Sequence, residues 1–354
     1  MTVTMNDIAR AAGVSQAAVS YAYNQPHKLS AARREHILTV AAELGYAGPN
    51  PAGRTLRTGR VGAIGLLITD TLGYAFDDPA AVQLLKGISE VGEFAEVALT
   101  LLPCPLESPR LTEGGGVLVR GAVDGFLAYA MPDGHPGMAT VVARGLPIVV
   151  IDGSDLGHLP RVGIPDRKAA REIAAHVLGL GHRRVGVLVD RLVPDGAAGP
   201  VTPARERAAR DLVNKERLAG YRSAFRSAGV SRRETTVIEA GGFDYAASRA
   251  AAAALLRDRS LTAVLAATDV LALATIDAAT ELGLRVPRDL SVTGFDDIAE
   301  AAKADLTTVR QPLVEKGRQA ARLLLDVIAG EQATAVTLPT ELVVRGSTAP
   351  PRRR

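Results

Sequence analysis

The chain is predicted to fold as a small all-α helix-turn-helix module ahead of an α/β core made of two doubly wound parallel sheets. Three observations predict this. Hydroxyl caps and glycine stops recur at helical spacing between Thr4 and Gly45, eight apolar runs alternate with helical stretches from Val61 onward, and positive charge gathers in the first 60 residues.

Within TMNDIARAAGVSQAAVSYAYN, Thr4 can cap a first helix while Asp7, three residues on, reaches back in a capping-box arrangement. Ile8 and Ala12 share one face of it. Gly13 falls where a helix end favours a left-handed residue, and Ser15 can cap a second helix from Gln16 to about Tyr23. Val14 and Val19 face inward, which leaves Gln16, Ala17, Ser20 and Tyr21 on the outer face, where such helices meet base edges. A third helix capped by Ser30 carries Ile37, Ala41 and Leu44 at core spacing and stops at Gly45. Thr4, Ser15, Gln16, Ala17, Ser20, Tyr21, Asn24 and Ser30 are the candidate DNA contacts of this module.

Gly48, Pro49 and Pro51 end that helix. Asn50 can then cap a helix of one and a half turns with Pro51 at its first position. Gly53 inside it costs roughly 1 kcal/mol relative to alanine, so the segment should order only on a partner. Residues 1–60 hold one Lys and six Arg against three acids, a net of +4, which leaves the other 294 residues at −1. The basicity therefore sits in the module that would meet phosphate.

With 354 residues, 47% of them hydrophobic, the chain can support a module and a large two-lobed core. No apolar run approaches the roughly 20 residues of a membrane helix and the N-terminus starts on a polar helix, so a cytoplasmic protein is expected, with no membrane partner. The lone Cys104 reads as a core thiol.

In the core, the runs GAIGLLI, EVALTLL, DGFLAYA, PIVVID, RRVGVLVD, TTVIE, AVLAAT and SVTGF alternate with helices near 79–92, 136–144, 166–180, 204–228, 245–257, 269–282 and 312–329. Runs buried on both faces with helices between them indicate parallel sheets. Ligands of such sheets lie beyond the carboxyl ends of strands. Asp70, Tyr129, Asp152, Thr268 and Asp296 stand there, and Tyr74, Phe76 and Phe243 offer flat faces. Asp166 and Asp269 are expected to cap the helices that follow them. The polar segment Arg191 to Asn214 reads as a mobile flap leading into the helix after Arg205.

Catalysis is not expected. Gly114 to Gly116 lack the lysine and hydroxyl of a phosphate loop, no G-x-S-x-G elbow occurs, and the six histidines lack metal-ligand spacing, so no cofactor or metal is implied. The pairs Asp77/Asp78 and Asp296/Asp297 are better explained as helix starts.

NDIARAAGVSQAAVS, Asn24, the Ser30 helix, ELGY and NPAGRTLRTGRVGAIGLL together resemble the LacI/GalR family of transcription regulators. The resemblance continues through VDGFLAY, GLPIVVID, GHRRVGVL, RLAGYRSAF, ATDVLALAT, LGLRVPRDLSVTGFDDI, LTTVRQP and PTELVVRGS, in the family's order. It implies a helix-turn-helix domain at 1–48, a hinge helix and linker at 49–60, and a periplasmic-binding-protein-like core at 61–354. The core's lobes would comprise about 61–164 with 297–330 and about 165–296 with 331–348. The family's chain crossings map near 163–166, 296–306 and 330–337. The resemblance further implies a homodimeric, ligand-responsive repressor of a near-palindromic operator, its hinge wedging Leu56 into the minor groove beside Arg54 and Arg57. Effector positions map onto Tyr74, Phe76, Asp152, Arg217, Phe243, Thr268 and Asp296, for a sugar or nucleoside-like metabolite. Two departures stand out: Gly53 where relatives commonly carry alanine, and one extra residue between Tyr46 and the hinge. A solute-binding protein with the same core is the rival class; the basic N-terminal module argues against it.

Overall fold

The computed structural model describes residues 3–48, 59–92, 97–105, 116–153, 156–157 and 159–352. It divides into two compact units, Met1–Gly62 and Ala63–Arg354. The predicted contacts Asn50, Arg54, Leu56 and Arg57 lie outside the described residues.

The first unit holds α1 (Met5–Ala11), α2 (Gln16–Asn24) and α3 (Ala31–Glu43). Thr4 and Asp7 form the expected reciprocal cap on α1, and Ser15 and Ser30 cap α2 and α3. Gly13 takes φ +63°, which lets the chain turn between α1 and α2 without Cβ strain. Ile8, Val19, Ala22, Ile37 and Ala41 close a small core. Leu44 does not join it: it sits past the last turn of α3 and is 41% exposed.

The second unit begins with β1 (Ala63–Ile68), α4 (Leu72–Asp77), α5 (Pro79–Ser89), β2 (Ala98–Pro103), α6 (Val117–Arg120), β3 (Gly125–Tyr129), α7 (Pro136–Ala143), β4 (Ile148–Ile151) and β5 (Arg161–Gly163). It crosses to a second lobe of α8 (Asp166–Gly179), β6 (Val185–Val189), β7 (Gly199–Pro200), α9 (Pro203–Arg207), α10 (Leu212–Ser227), β8 (Thr235–Glu239), α11 (Tyr245–Leu255), β9 (Ala263–Ala266), α12 (Asp269–Glu281), β10 (Ser291–Thr293) and α13 (Ala299–Lys303). The chain then adds β11 (Thr308–Arg310), α14 (Leu313–Ile328), β12 (Val336–Thr337) and β13 (Glu341–Val343). One sheet has the order β12-β5-β4-β3-β1-β2 and is parallel throughout; the other runs β10-β9-β6-β8-β7, parallel except for β7 on β8. Every residue of β1, β3, β4, β6 and β9 is buried, as expected for strands covered on both faces.

Several expectations differ from the structure. Residues 297–310 pack in the second lobe, because Ile298, Ala301, Leu306 and Val309 belong to its apolar core and β11 pairs with β13. Residues 331–338 belong to the first lobe, since Val336 and Leu338 pack there and β12 pairs with β5. The crossings therefore fall near 163–166, 310–313 and 338–341. The helix expected over 204–228 is two helices: the amides of Arg210 and Asp211 turn back onto the Leu192 carbonyl, and Asp211 caps α10.

The polar segment is also not loose. Arg205 donates to both Asp195 oxygens and to both Glu239 oxygens, lacing the segment to β8. Asp166 and Asp269 are not caps either. Pro165 and Thr268 hold those positions, while Asp269 accepts from Ile298 N and the Thr308 hydroxyl at 2.9 and 2.6 Å. No helix among the described residues is long and apolar enough to cross a membrane.

Candidate functional site

The start of α2 is an exposed edge of the first unit. Gln16 and Ala17 are exposed, and Ser20 and Tyr21 half-buried, because Ala18, Val19 and Ala22 turn the opposite face inward. Lys28 lies 5.0 Å over the Tyr21 ring, placing a cation beside that edge. Ser15 and Ser30 accept from the amides of Ala18 and Arg33, and Asn24 donates to Ser20 O. Thr4 donates its hydroxyl to Asp7 at 2.6 Å. The hydrogen bonds from the Thr4 hydroxyl and amide hold the Asp7 carboxyl below the usual range. Several predicted contacts thus also shape the helix ends.

In the second unit, β-strand ends converge on a narrow cavity of about 80 Å³ between the lobes, lined by Tyr74, Tyr129, Asp152, Arg217, Phe243, Thr268 and Asp296. Seven of the nine predicted cleft residues are thus brought together. Asp70 and Phe76 are not among them. Asp70 turns to the rim, where Arg191 reaches it at 3.3 Å, and Phe76 points outward from α4, 62% exposed.

Arg217 of α10 is the hub of the cavity. It donates to Asp166 at 2.9 Å, to the Ala267 carbonyl at 2.5 Å and to Asp296 at 3.4 Å, and lies 3.6 Å over the Phe295 ring. Burial alone would disfavour its charge, but Asp166 and Asp296 outweigh that and raise its pKa. Burial pushes Asp296 and Asp166 up in turn, with Arg217 as the opposing influence. Ala130, Asp152, Asp296 and Asp297, all just past strands, take φ of +48°, +50°, +124° and +57°. Non-glycine residues held in that region cost about 1–3 kcal/mol each, and such strain gathers at functional sites.

The lobes also touch across the cavity's mouth. Arg191 donates to the Thr69 hydroxyl of the first lobe at 2.9 Å and to its own lobe's Asp211, and lies 4.5 Å over Phe243. Phe243 in turn stacks on Tyr74 at 4.4 Å.

Residues 174–348 match the periplasmic binding protein-like domain model, and residues 4–50 match that of bacterial regulatory proteins of the lacI family. An HTH-type transcriptional regulator of Mycobacterium tuberculosis is 40% identical over 350 residues, 98% of this chain and 97% of that protein. The chain belongs to the LacI family. Two solved relatives agree across nearly the whole length. The lac repressor dimer bound to operator and the anti-inducer ONPF is 26% identical with a TM-score of 0.76, covering 99% of this chain and 100% of that one. The transcriptional regulator CelR–cellobiose complex is 28% identical with a TM-score of 0.67, covering 98% and 99%. The chain is therefore a DNA-binding transcriptional regulator with the LacI family's helix-turn-helix and periplasmic-binding-protein-like core.

Beyond the positions expected from the family, the cavity contains Asp78, Asp190, Asp211, Asn214 and Gln311. Asp190 ends β6 just as Asp152 ends β4, so the strand-end rule applied evenly would have found it. Asp78, Asp211 and Asn214 carry no such signal; they arrive through helix starts. Asp297 is no helix start: it accepts from Arg310 and forms an ion pair with Arg345, each at 2.7 Å.

Asp190 gives a pH test. Burial, then the nearby Asp211, pushes its carboxyl up to about 7, against an unfolded value of about 3.9. A folded pKa above the unfolded one favours folding while the group stays protonated, and that contribution is lost as pH rises through about 7. Asp190→Asn should therefore melt higher than the parent at pH 8, with the gap narrower at pH 5 and gone only below the unfolded value of about 3.9. A gap independent of pH in thermal melts would refute it.

Proposed function

We propose that this LacI-family regulator is a homodimeric repressor of a near-palindromic operator, with a small neutral metabolite of the sugar or nucleoside kind as effector in the inter-lobe cavity. The observation that carries this is the joining, in one chain, of an exposed reading edge at Gln16 and Ala17 to a cavity where Arg217, several carboxylates and the Tyr74–Phe243 pair converge. Two solved relatives support it, one a dimer bound to operator and the other a complex with cellobiose.

In this reading two α2 edges enter successive major grooves. The hinge from Asn50 through Arg57 forms on the operator and inserts Leu56 as a minor-groove wedge. The effector has differential affinity for two lobe arrangements, and that difference is what moves operator affinity. A randomised-duplex selection followed by effector titration into operator complexes tests it. Indifference to every duplex sequence would sink the reading.

A quantitative expectation follows for the reading edge. Gln16→Ala should weaken operator binding by about 1–3 kcal/mol and relax preference at one base pair per half-site. The slope of log affinity against log salt should stay as steep as the parent's, because that slope counts phosphate contacts, about 0.9 per phosphate. A flattened slope with unchanged base preference would assign Gln16 to the backbone instead.

A further inference from the structure

Lys316 of α14 has no exposed side-chain surface, although its end is an amine inside the first lobe. A buried ammonium persists only when paired and hydrogen-bonded. Its partners are Asp152 Oδ2 at 2.6 Å and Gln311 Oε1 at 2.5 Å. An ammonium is a donor only, so it fixes the Gln311 amide: the oxygen faces Lys316 and Nε2 must donate elsewhere, which it does to Asp296 Oδ1 at 2.6 Å. Asp152 and Asp296 each line the cavity, and the lysine orients both, one directly and one through Gln311.

Asp152 is left with one oxygen to spare. Its side chain is 8% exposed, and the buried Oδ1 has no hydrogen-bond partner among the described residues. A buried acceptor without a donor is costly, and a ligand hydroxyl or amide hydrogen would satisfy it. Asp78, Asp190 and Asp211 line the same space, while Nε and Nη1 of Arg217 are already directed at Asp166, Asp296 and Ala267 O.

We propose that Lys316 is a positioning residue that sets ligand class: by holding Asp152 and Gln311 as it does, it makes the cavity floor accept hydrogen-bond donors and exclude anionic ligands. This rests on the reading of the cavity as an effector site. Neutral polyhydroxylated molecules satisfy the floor; their phosphate esters meet unpartnered acceptor oxygen and carboxylates. Without Lys316, Asp152 and Gln311 lose the donor that orients them, and the preference for neutral ligands falls.

The test uses the full chain, Lys316→Met, and the double variant Lys316→Met/Asp152→Asn, which leaves no unpaired charge and guards against misfolding. Glucose, ribose, cellobiose and adenosine are titrated by calorimetry beside glucose 6-phosphate, ribose 5-phosphate, cellobiose phosphate and AMP. The parent should bind a neutral member about a hundredfold or more tighter than its phosphate ester. Both variants should lose about tenfold of that ratio, a change that a merely structural staple would not produce in folded protein. A phosphate ester bound as well as its neutral parent, or a ratio unchanged in both variants, overturns the assignment. If the parent binds operator but none of the eight probes, the effector reading itself fails, and the assignment with it.

Discussion

Arg217→Met should cost the core about 3–5 kcal/mol, the size of effect seen when one member of a buried charge cluster is removed. The methionine fills much of the space over Phe295 but leaves Asp166 and Asp296 without their cation and Ala267 O without its donor. The loss should depend on pH, and its sign can be worked out. Burial already raises both carboxyls, and removing the arginine raises them further. Folded pKa values above the unfolded value of about 3.9 mean that the variant gains stability as pH falls and protons bind. Denaturation at pH 8 and pH 5 should show the larger deficit at pH 8. An equal deficit at both would mean that packing over Phe295, rather than charge, is what Arg217 supplies.

Gly317→Val should lower stability by about 3 kcal/mol, at the upper end for overpacking because the obstacle is backbone. The helices α5 and α14 cross at Gly87 and Gly317, so closely that a methyl on Gly317 would be driven into the Leu84 carbonyl oxygen and one on Gly87 into that of Val314. Neither carbonyl can move without breaking its own helix. For a core of this size that loss is a melting shift of about 6–12 °C. A valine variant that melts within a degree of the parent would mean that the two helices can separate freely.

Much of this architecture was legible because its signals are long or chemically marked. The α1–α2–α3 module follows from hydroxyl caps and Gly13, and the parallel sheets follow from apolar runs that only two-sided burial explains. Strands such as β5, β11, β12 and β13 are two or three residues long, too short for any period to register. Their pairing is what assigns 297–310 and 331–338 to their lobes, so the lobe boundaries were misread with them. In the cavity, the strand-end rule gives a residue's place but not its direction, which is why Asp152 and Asp296 were legible and Asp70 was not. Phe76 was carried over from the family by position, and one helical step turns it outward. Lys316 was invisible to periodicity: a lysine in an amphipathic helix reads as solvated until its partners are known.

The chain's return path has a consequence for how it is made. The face of the first sheet that bears Ile64, Leu66 and Leu127 is covered by Ala320, Ala321 and Leu324 of α14, nearly 200 residues beyond β3. During synthesis the first lobe must wait with part of that apolar face uncovered, beside Ala81, Leu84 and Ile88 of α5, until almost the whole chain has emerged, whereas the small N-terminal module is complete from the outset. Chains cut short before α14 should therefore aggregate or be degraded, leaving at most a competent α1–α3 head.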